Sequence, residues 1–252
     1  MPTERANFLD VGFDVLSATD LLDRIAKVGP DSAYGYLVTP NVDHLVRLHT
    51  RSADLPQLAD IYRQAAYCTC DSKILAMLAK WHGIGLPVIP GSDLTAHLFR
   101  DVVKDGDRIA VVGGDPLLLD ALRRKFPRVD IVQHCPPMGL MQDPAARSAA
   151  ARFIAESRAR FTFLCVGSPQ QEIIAAEAAA LDGSRGLALC VGAALEFLTG
   201  RSRRAPLVAR RLGLEWAHRL ASNPRRLWRR YLVEGPRILA LAYRWRPPVT
   251  SS

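Results

Sequence analysis

Apolar runs of four to six residues recur along the chain. Each is followed by a cluster of Gly, Pro, Ser, Asn or Asp, and then by apolar positions at helical spacing. Tyr34–Val38 leads into Thr39-Pro40-Asn41 and a helix to about Arg51, and Ala66–Thr69 leads into Cys70-Asp71-Ser72 and a helix through Trp81. Arg108–Val112 leads into Gly113-Gly114-Asp115-Pro116 and a helix ending near Lys125. Phe161–Val166 leads into Gly167-Ser168-Pro169 and a helix through Leu181, and Leu187–Val191 leads into Gly192 and a last helix of the body. Short strands alternating with helices predict βαβ units, hence an α/β fold with a mostly parallel sheet. Ligands of such sheets lie outside the carboxyl ends of the strands, where these five loops gather.

Beyond Gly200 the pattern carries no strand signal. Arg201 to Arg246 reads as helices broken at Pro206, Pro224 and Gly235-Pro236. Val208, Leu212, Trp216 and Leu220 recur at i, i+4 in the first piece. In the second, a helical projection puts Arg225, Arg226, Arg229 and Arg230 on one side and Leu227, Trp228, Tyr231 and Leu232 on the other. Ile238, Leu241, Ala242 and Trp245 continue the apolar stripe. The organisation expected is a body over 1–200, an amphipathic arginine-rich appendage over 201–246 and a disordered end over 247–252.

Charge sharpens that division. Residues 201–252 hold 13 Arg, no Lys and two acids (Glu215 and Glu234), a balance of +11, which leaves −3 for the first 200 within the formal total of +8. A one-sided basic segment points to a polyanionic partner, nucleic acid or an anionic membrane surface. Separation of the rings from the arginines favours a membrane surface or a docked helix. At 49% apolar and 23% charged the chain is no disordered polymer. No apolar run approaches the roughly 18 residues of a spanning helix, Leu187–Leu195 included. Met1 to Asp10 carries acids and lacks the apolar core of a signal peptide. The five cysteines (Cys68, Cys70, Cys135, Cys165, Cys190) have irregular spacings that suit neither a disulfide framework nor a zinc ribbon, so they read as small interior residues of a reduced, cytoplasmic protein with no metal site.

Some of these loops admit two readings. Gly113-Gly114-Asp115 could cradle a pyrophosphate at a helix start, or could be only a tight βα turn, since Leu118 stands where a dinucleotide fingerprint needs its third glycine. In Gly167-Ser168-Pro169-Gln170-Gln171-Glu172, Ser168 suits an N-cap, Pro169 a first helical residue and Gln171 the reciprocal partner of a capping box. Asp71, between strand and helix, suits an N-cap or a general base at the ligand edge. Thr39-Pro40-Asn41 suits helix-start chemistry, with two polar side chains near the same edge. His44 and His49 stand five apart on one helix and form no spaced pair with a carboxylate.

Taken in order, these segments resemble the WecG/TagA/CpsF group of bacterial glycosyltransferases (glycosyltransferase family 26) from about Leu9 to Leu239. The resemblance rests on Thr39-Pro40-Asn41, the Asp71 junction, Pro90-Gly91-Ser92-Asp93-Leu94, Val112-Gly113-Gly114 and Gly167–Glu172. Its longest stretch runs from Arg204-Ala205-Pro206 through Gly213-Leu214-Glu215-Trp216 and Arg219-Leu220 to Pro224-Arg225-Arg226. It implies a Rossmann-like core with a mobile basic appendage. The reaction implied is inverting, metal-independent transfer of a sugar from a UDP-sugar to a polyprenyl-diphosphate-linked saccharide, in cell-envelope polysaccharide biosynthesis. The sugar would be a hexose or N-acetylhexosamine, including its uronic acid. No cofactor beyond the UDP-sugar donor is implied, no nucleic acid is expected, and the protein would sit peripherally on the inner face of the cell membrane.

By the same resemblance Asp71 would be the general base, and Thr39 and Asn41 would position the donor sugar. Gly113, Gly114 and Asp115, with Gly167, Ser168, Pro169, Gln171, Glu172 and Gly192, would hold uridine and phosphates. Arg219, Arg226 and Arg229 would close over the diphosphate. Two places depart from the family pattern: Ser72-Lys73 follows Asp71, and Leu195-Glu196-Phe197 stands where Phe-Asp-Phe is usual. A competing expectation is a non-catalytic nucleic-acid- or membrane-binding protein on the same body.

Overall fold

Every apolar run of the body becomes a strand in a computed structural model that describes residues 4–50, 55–206, 209, 214–222 and 224–247, without the side chains of Arg219, Arg226 and Arg230. Strands β3 (Gly35–Val38), β4 (Tyr67–Cys68), β5 (Arg108–Val112), β6 (Asp130–His134), β7 (Phe161–Leu164) and β8 (Leu187–Cys190) form one sheet in the order β4-β3-β8-β7-β5-β6. All five pairings are parallel. The fold is Rossmann-like, as expected. All residues of β7 and β8 are buried, which is why these central strands read as unbroken apolar runs.

Helices cover both faces. One layer holds α2 (Val42–Thr50), α3 (Leu58–Gln64), α4 (Lys73–Trp81), α7 (Pro144–Ser157) and α8 (Gln170–Ala179), packed through Leu45, Tyr62, Leu75, Ile154 and Ile174. The other holds α1 (Ala18–Ala26), α5 (Gly91–His97), α6 (Pro116–Lys125) and α9 (Ala194–Leu198), packed through Ile25, Leu94, Leu118 and Leu195. β5 runs on through α6 to the edge strand β6, whereas β7 runs through α8 on the opposite face to β8. The order therefore reverses between β5 and β7, and a crevice opens at their carboxyl ends.

Three strands gave no sequence signal. The antiparallel hairpin β1 (Arg5–Phe8) and β2 (Val11–Asp14) turns through Leu9 and Asp10, both left-handed at φ 50° and 60°, without the Asn-Gly that usually marks such a turn. Asp14 accepts the Cys68 amide at 2.6 Å and Arg5 Nε at 3.1 Å, so the hairpin covers the exposed edge of β4. Strand β6 lies at the other edge, where only Ile131 is buried, and its polar composition hides it.

The tail is helical over Glu215–Ser222, Pro224–Trp228 and Arg237–Arg244, with a wider i→i+5 turn over Arg229–Glu234. Breaks at Pro224 and Gly235-Pro236 follow the sequence reading; Val208 and Leu212, and residues 248–252 of the expected disordered end, lie outside the described residues. The apolar stripe needs correction. Ile238, Ala242 and Trp245 are buried, with Trp245 edge-on to Phe8 at 5.2 Å and to His82 at 5.4 Å, so this stripe belongs to the body's core. The wide turn also spoils the projected two-sided helix: Tyr231 turns toward Trp216 (6.1 Å), while Trp228, Leu232 and Val233 stay exposed. No described helix is long and apolar enough to cross a membrane.

Candidate functional site

Three loops meet where β3, β4 and β8 end. Thr39, following β3, is buried and donates from Oγ1 to the Cys190 carbonyl at 3.0 Å. The Pro40 carbonyl accepts the Asp71 amide at 3.0 Å, and the Cys70 carbonyl accepts the Ile89 amide at 2.9 Å. Asn41 Oδ1 accepts the Asp43 amide at 3.1 Å and starts α2. Gly91, first residue of α5, has no room to spare, because a Cβ there would lie 3.3 Å from Thr39 Oγ1 and from Val191. Thr39, Asn41, Asp71 and Gly91 are thus brought to one place.

The helix cap at this junction is Ser72. Its Oγ accepts the Leu75 amide at 3.2 Å from an extended backbone, so α4 begins one residue later than capping by Asp71 would require. Asp71 is half-buried at the strand end, one residue before that cap.

A second group sits at the crevice. Gly113 and Gly114 have φ of +97° and +74°, and a Cβ on Gly113 would lie 2.8 Å from Val166 and 3.0 Å from the Cys165 backbone. The loop after β5 therefore packs directly on the loop after β7. Asp115 caps α6 through the Leu118 amide at 2.8 Å, and Gln133 Nε2 donates to the carbonyls of Gly113 (2.8 Å) and Asp115 (3.1 Å). These bonds give the turn reading of this loop a full physical account.

The capping box expected at Gly167–Glu172 does not form. Helix α8 begins at Gln170 with no side-chain cap, and Ser168 Oγ accepts Arg47 Nη1 at 3.1 Å instead. Gln171 turns inward: its Oε1 accepts the Gly192 amide at 3.1 Å and its Nε2 donates to Glu172 Oε1 at 2.9 Å. Glu172 is wholly buried with Oε2 unmatched, and desolvation pushes its carboxyl above the ordinary range, opposed by Gln171, Ser168 and Arg47. Glu172 therefore reaches the site through Gln171 and Ser168, whereas Gly167, at φ +80°, has nothing within 4 Å of where a Cβ would stand.

Of the arginines expected over the diphosphate, Arg229 is exposed, and the side chains of Arg219 and Arg226 lie outside the described residues. Two others, to which the sequence reading gave no site role, are committed to the body. Arg201 bridges Asp115 Oδ2 (2.8 Å) and Glu196 Oε2 (2.9 Å), and Arg204 Nη1 meets Asp93 Oδ1 at 2.6 Å. Arg47, on α2, had no signal beyond its i+4 spacing from Asp43, to which it donates at 2.6 Å. A cavity of about 90 Å³ between α2 (Asp43, Val46, Arg47, Thr50) and Glu234 and Arg237 is far below the roughly 300 Å³ of a ligand pocket.

Cys68, Cys70 and Cys190 are buried, and desolvation pushes their thiols up, to about 12 at Cys70. Among the described residues no three His, Cys, Asp or Glu side chains gather in a way that could hold a metal ion. The arrangement is a carboxylate beside the Thr39-Pro40-Asn41 loop at the carboxyl ends of β3 and β4, with the glycine turns after β5 and β8 and the body-bound Arg201 and Arg204 on neighbouring loops and helices. That set can remove a proton from a hydroxyl and hold an anionic leaving group. The chain matches the family model of the Glycosyl transferase WecG/TagA/CpsF family over residues 6–251, nearly its whole length, and it therefore belongs to that family.

Proposed function

We propose that this protein is an inverting, metal-independent glycosyltransferase. It moves a hexose or N-acetylhexosamine, or the corresponding uronic acid, from a UDP-sugar to a polyprenyl-diphosphate-linked saccharide. The observation that carries the reading is the placement of Asp71 against the Thr39-Pro40-Asn41 loop, with helix capping handed to Ser72. The acceptor hydroxyl attacks the sugar's anomeric carbon while its proton passes to the Asp71 carboxylate. The bond from that carbon to the donor phosphate oxygen breaks, and UDP departs with the electron pair. One carboxylate suffices, because inversion needs no covalent enzyme intermediate. Arginines of the appendage over 201–246 offset the charge that grows on UDP, and the body over 1–200 holds Asp71, Thr39, Asn41 and the glycine loops.

Peripheral attachment to the inner face of the cell membrane has its own support. Met77 and Trp81 on α4 are exposed by 49% and 69%, and Leu239 and Tyr243 on helix Arg237–Arg244 by 52% and 81%. Those helices meet through His82 and Trp245, and neither carries an acid, while Lys73, Lys80, Arg237 and Arg244 do carry charge. Exposed apolar side chains on two helices that carry cations and no acid fit an anionic lipid face. Because α4 starts two residues after Asp71, docking there brings the base near a lipid-borne acceptor.

The reading is tested by screening UDP-sugars with the purified protein and a polyprenyl-diphosphate saccharide. Release of UDP with one sugar, inverted at the anomeric carbon and unaffected by chelator, is the expected result. Absence of UDP-sugar binding together with tight RNA binding would overturn it.

A further inference from the structure

Arg204 carries an unusual imbalance. Its side chain is only 19% exposed, and a single nitrogen, Nη1, is engaged, by Asp93 at 2.6 Å. Nε and Nη2 are closed off from solvent, and among the described residues neither has a hydrogen-bond partner. These two N–H groups share one edge of the guanidinium and run parallel, at the spacing of two oxygens on one carboxylate or phosphoryl group. Burying charged donors without an acceptor is unfavourable, and here two lie side by side.

Its tethers place it. Asp93 is in the first turn of α5, whose first residue, Gly91, lies against Thr39 and Val191. The Phe197 ring, 5.9 Å from the guanidinium carbon, belongs to α9, which follows the Gly192 turn. Arg204 is therefore held by the two helices that begin beside Thr39 and Gly192. Asp93 and Phe197 hold the guanidinium without satisfying the donors of its paired edge.

We propose that the Nε/Nη2 edge of Arg204 is an oxyanion fork of this site, taking two oxygens of one anionic group of the sugar nucleotide. The group is either a phosphoryl of the diphosphate or a carboxylate on the sugar. The proposal rests on the UDP-sugar reading above and adds a ligand contact from the start of the tail. It also gives the Arg201–Pro206 segment a task distinct from membrane contact.

The test uses the full-length protein and titration calorimetry with UDP, UDP-glucose, UDP-glucuronic acid and uridine. Arg204→Lys keeps a cation facing Asp93 but loses the parallel donors, and Arg204→Gln removes the charge. A phosphoryl contact predicts that Arg204→Lys weakens UDP and both UDP-sugars by about tenfold or more while uridine is unchanged. A carboxylate contact predicts that only UDP-glucuronic acid is weakened. If the wild type binds uridine nucleotides and both variants, still unfolding cooperatively, bind all four compounds equally well, the fork is overturned and the UDP-sugar reading stands. If the wild type binds none of them, both readings are overturned. Should neither variant fold, a wild-type complex with UDP-glucuronic acid decides, and the absence of ligand oxygens within hydrogen-bond reach of Nε and Nη2 overturns the fork.

Discussion

Ser72 Oγ accepts the Leu75 amide at 3.2 Å, and this bond separates stability from chemistry at adjacent residues. Ser72→Ala should destabilise the protein by about 1 kcal/mol and leave most of the transfer activity. Asp71→Asn should do the reverse, keeping the fold and UDP binding while transfer falls by about a hundredfold or more. Denaturant unfolding and steady-state kinetics on both variants check the pair. Near-normal turnover in Asp71→Asn would remove the base.

Gly113 and Gly167 share left-handed backbones but not surroundings. An alanine at Gly113 meets Val166 and the Cys165 backbone, whereas one at Gly167 meets open space. Gly113→Ala should cost about 2 kcal/mol or more, and Gly167→Ala only the about 1 kcal/mol of backbone strain. Gly167→Ala should still weaken UDP binding, because the added methyl enters the crevice. Melting curves with and without UDP separate the two effects.

Glu172 makes stability depend on pH in a defined sense. Burial raises its carboxyl above the ordinary range, so the native state holds a proton that the unfolded state releases. The stability it contributes is complete below the ordinary carboxyl range and is lost as pH rises through the raised value. Glu172→Gln should remove that loss and flatten the pH dependence of the melting temperature. Parallel curves for wild type and variant would show that the carboxyl is already ionised in the native state.

Trp81 and Tyr243 are 69% and 81% exposed on helices with no acids. Replacing both by alanine should lower binding to vesicles containing phosphatidylglycerol by about tenfold, with little change in melting temperature. Binding of the wild type should weaken with salt and vanish on purely zwitterionic vesicles. Equal sedimentation of wild type and variant would move the membrane contact elsewhere.

The order of strand, loop and helix was legible in the sequence because β5, β7 and β8 are buried on both faces, and only continuous apolar runs survive there. The candidate loops were legible for a related reason, since each ends such a run with Gly, Pro or Asp. The hairpin β1–β2 and the edge strand β6 were not, because a Leu-Asp turn and a polar edge carry no local signature. The sequence reading offered Asp71 as the cap and missed Ser72, since both residue types accept an amide equally well.

The amino-acid sequence by itself determined the parallel α/β body, the set of loops at its ligand edge and the concentration of arginine after residue 200. Only the tertiary structure decided which polar groups those loops spend on one another. It gave Ser72 the cap, turned Gln171 onto Gly192, buried Glu172, committed Arg201 to Asp115 and put Trp245 in the core. The physical reason is range. Helical period and turn composition act over a few residues, whereas Gln171–Gly192 and Arg201–Asp115 join groups 21 and 86 positions apart, whose meeting is set by the packing of whole helices on the sheet.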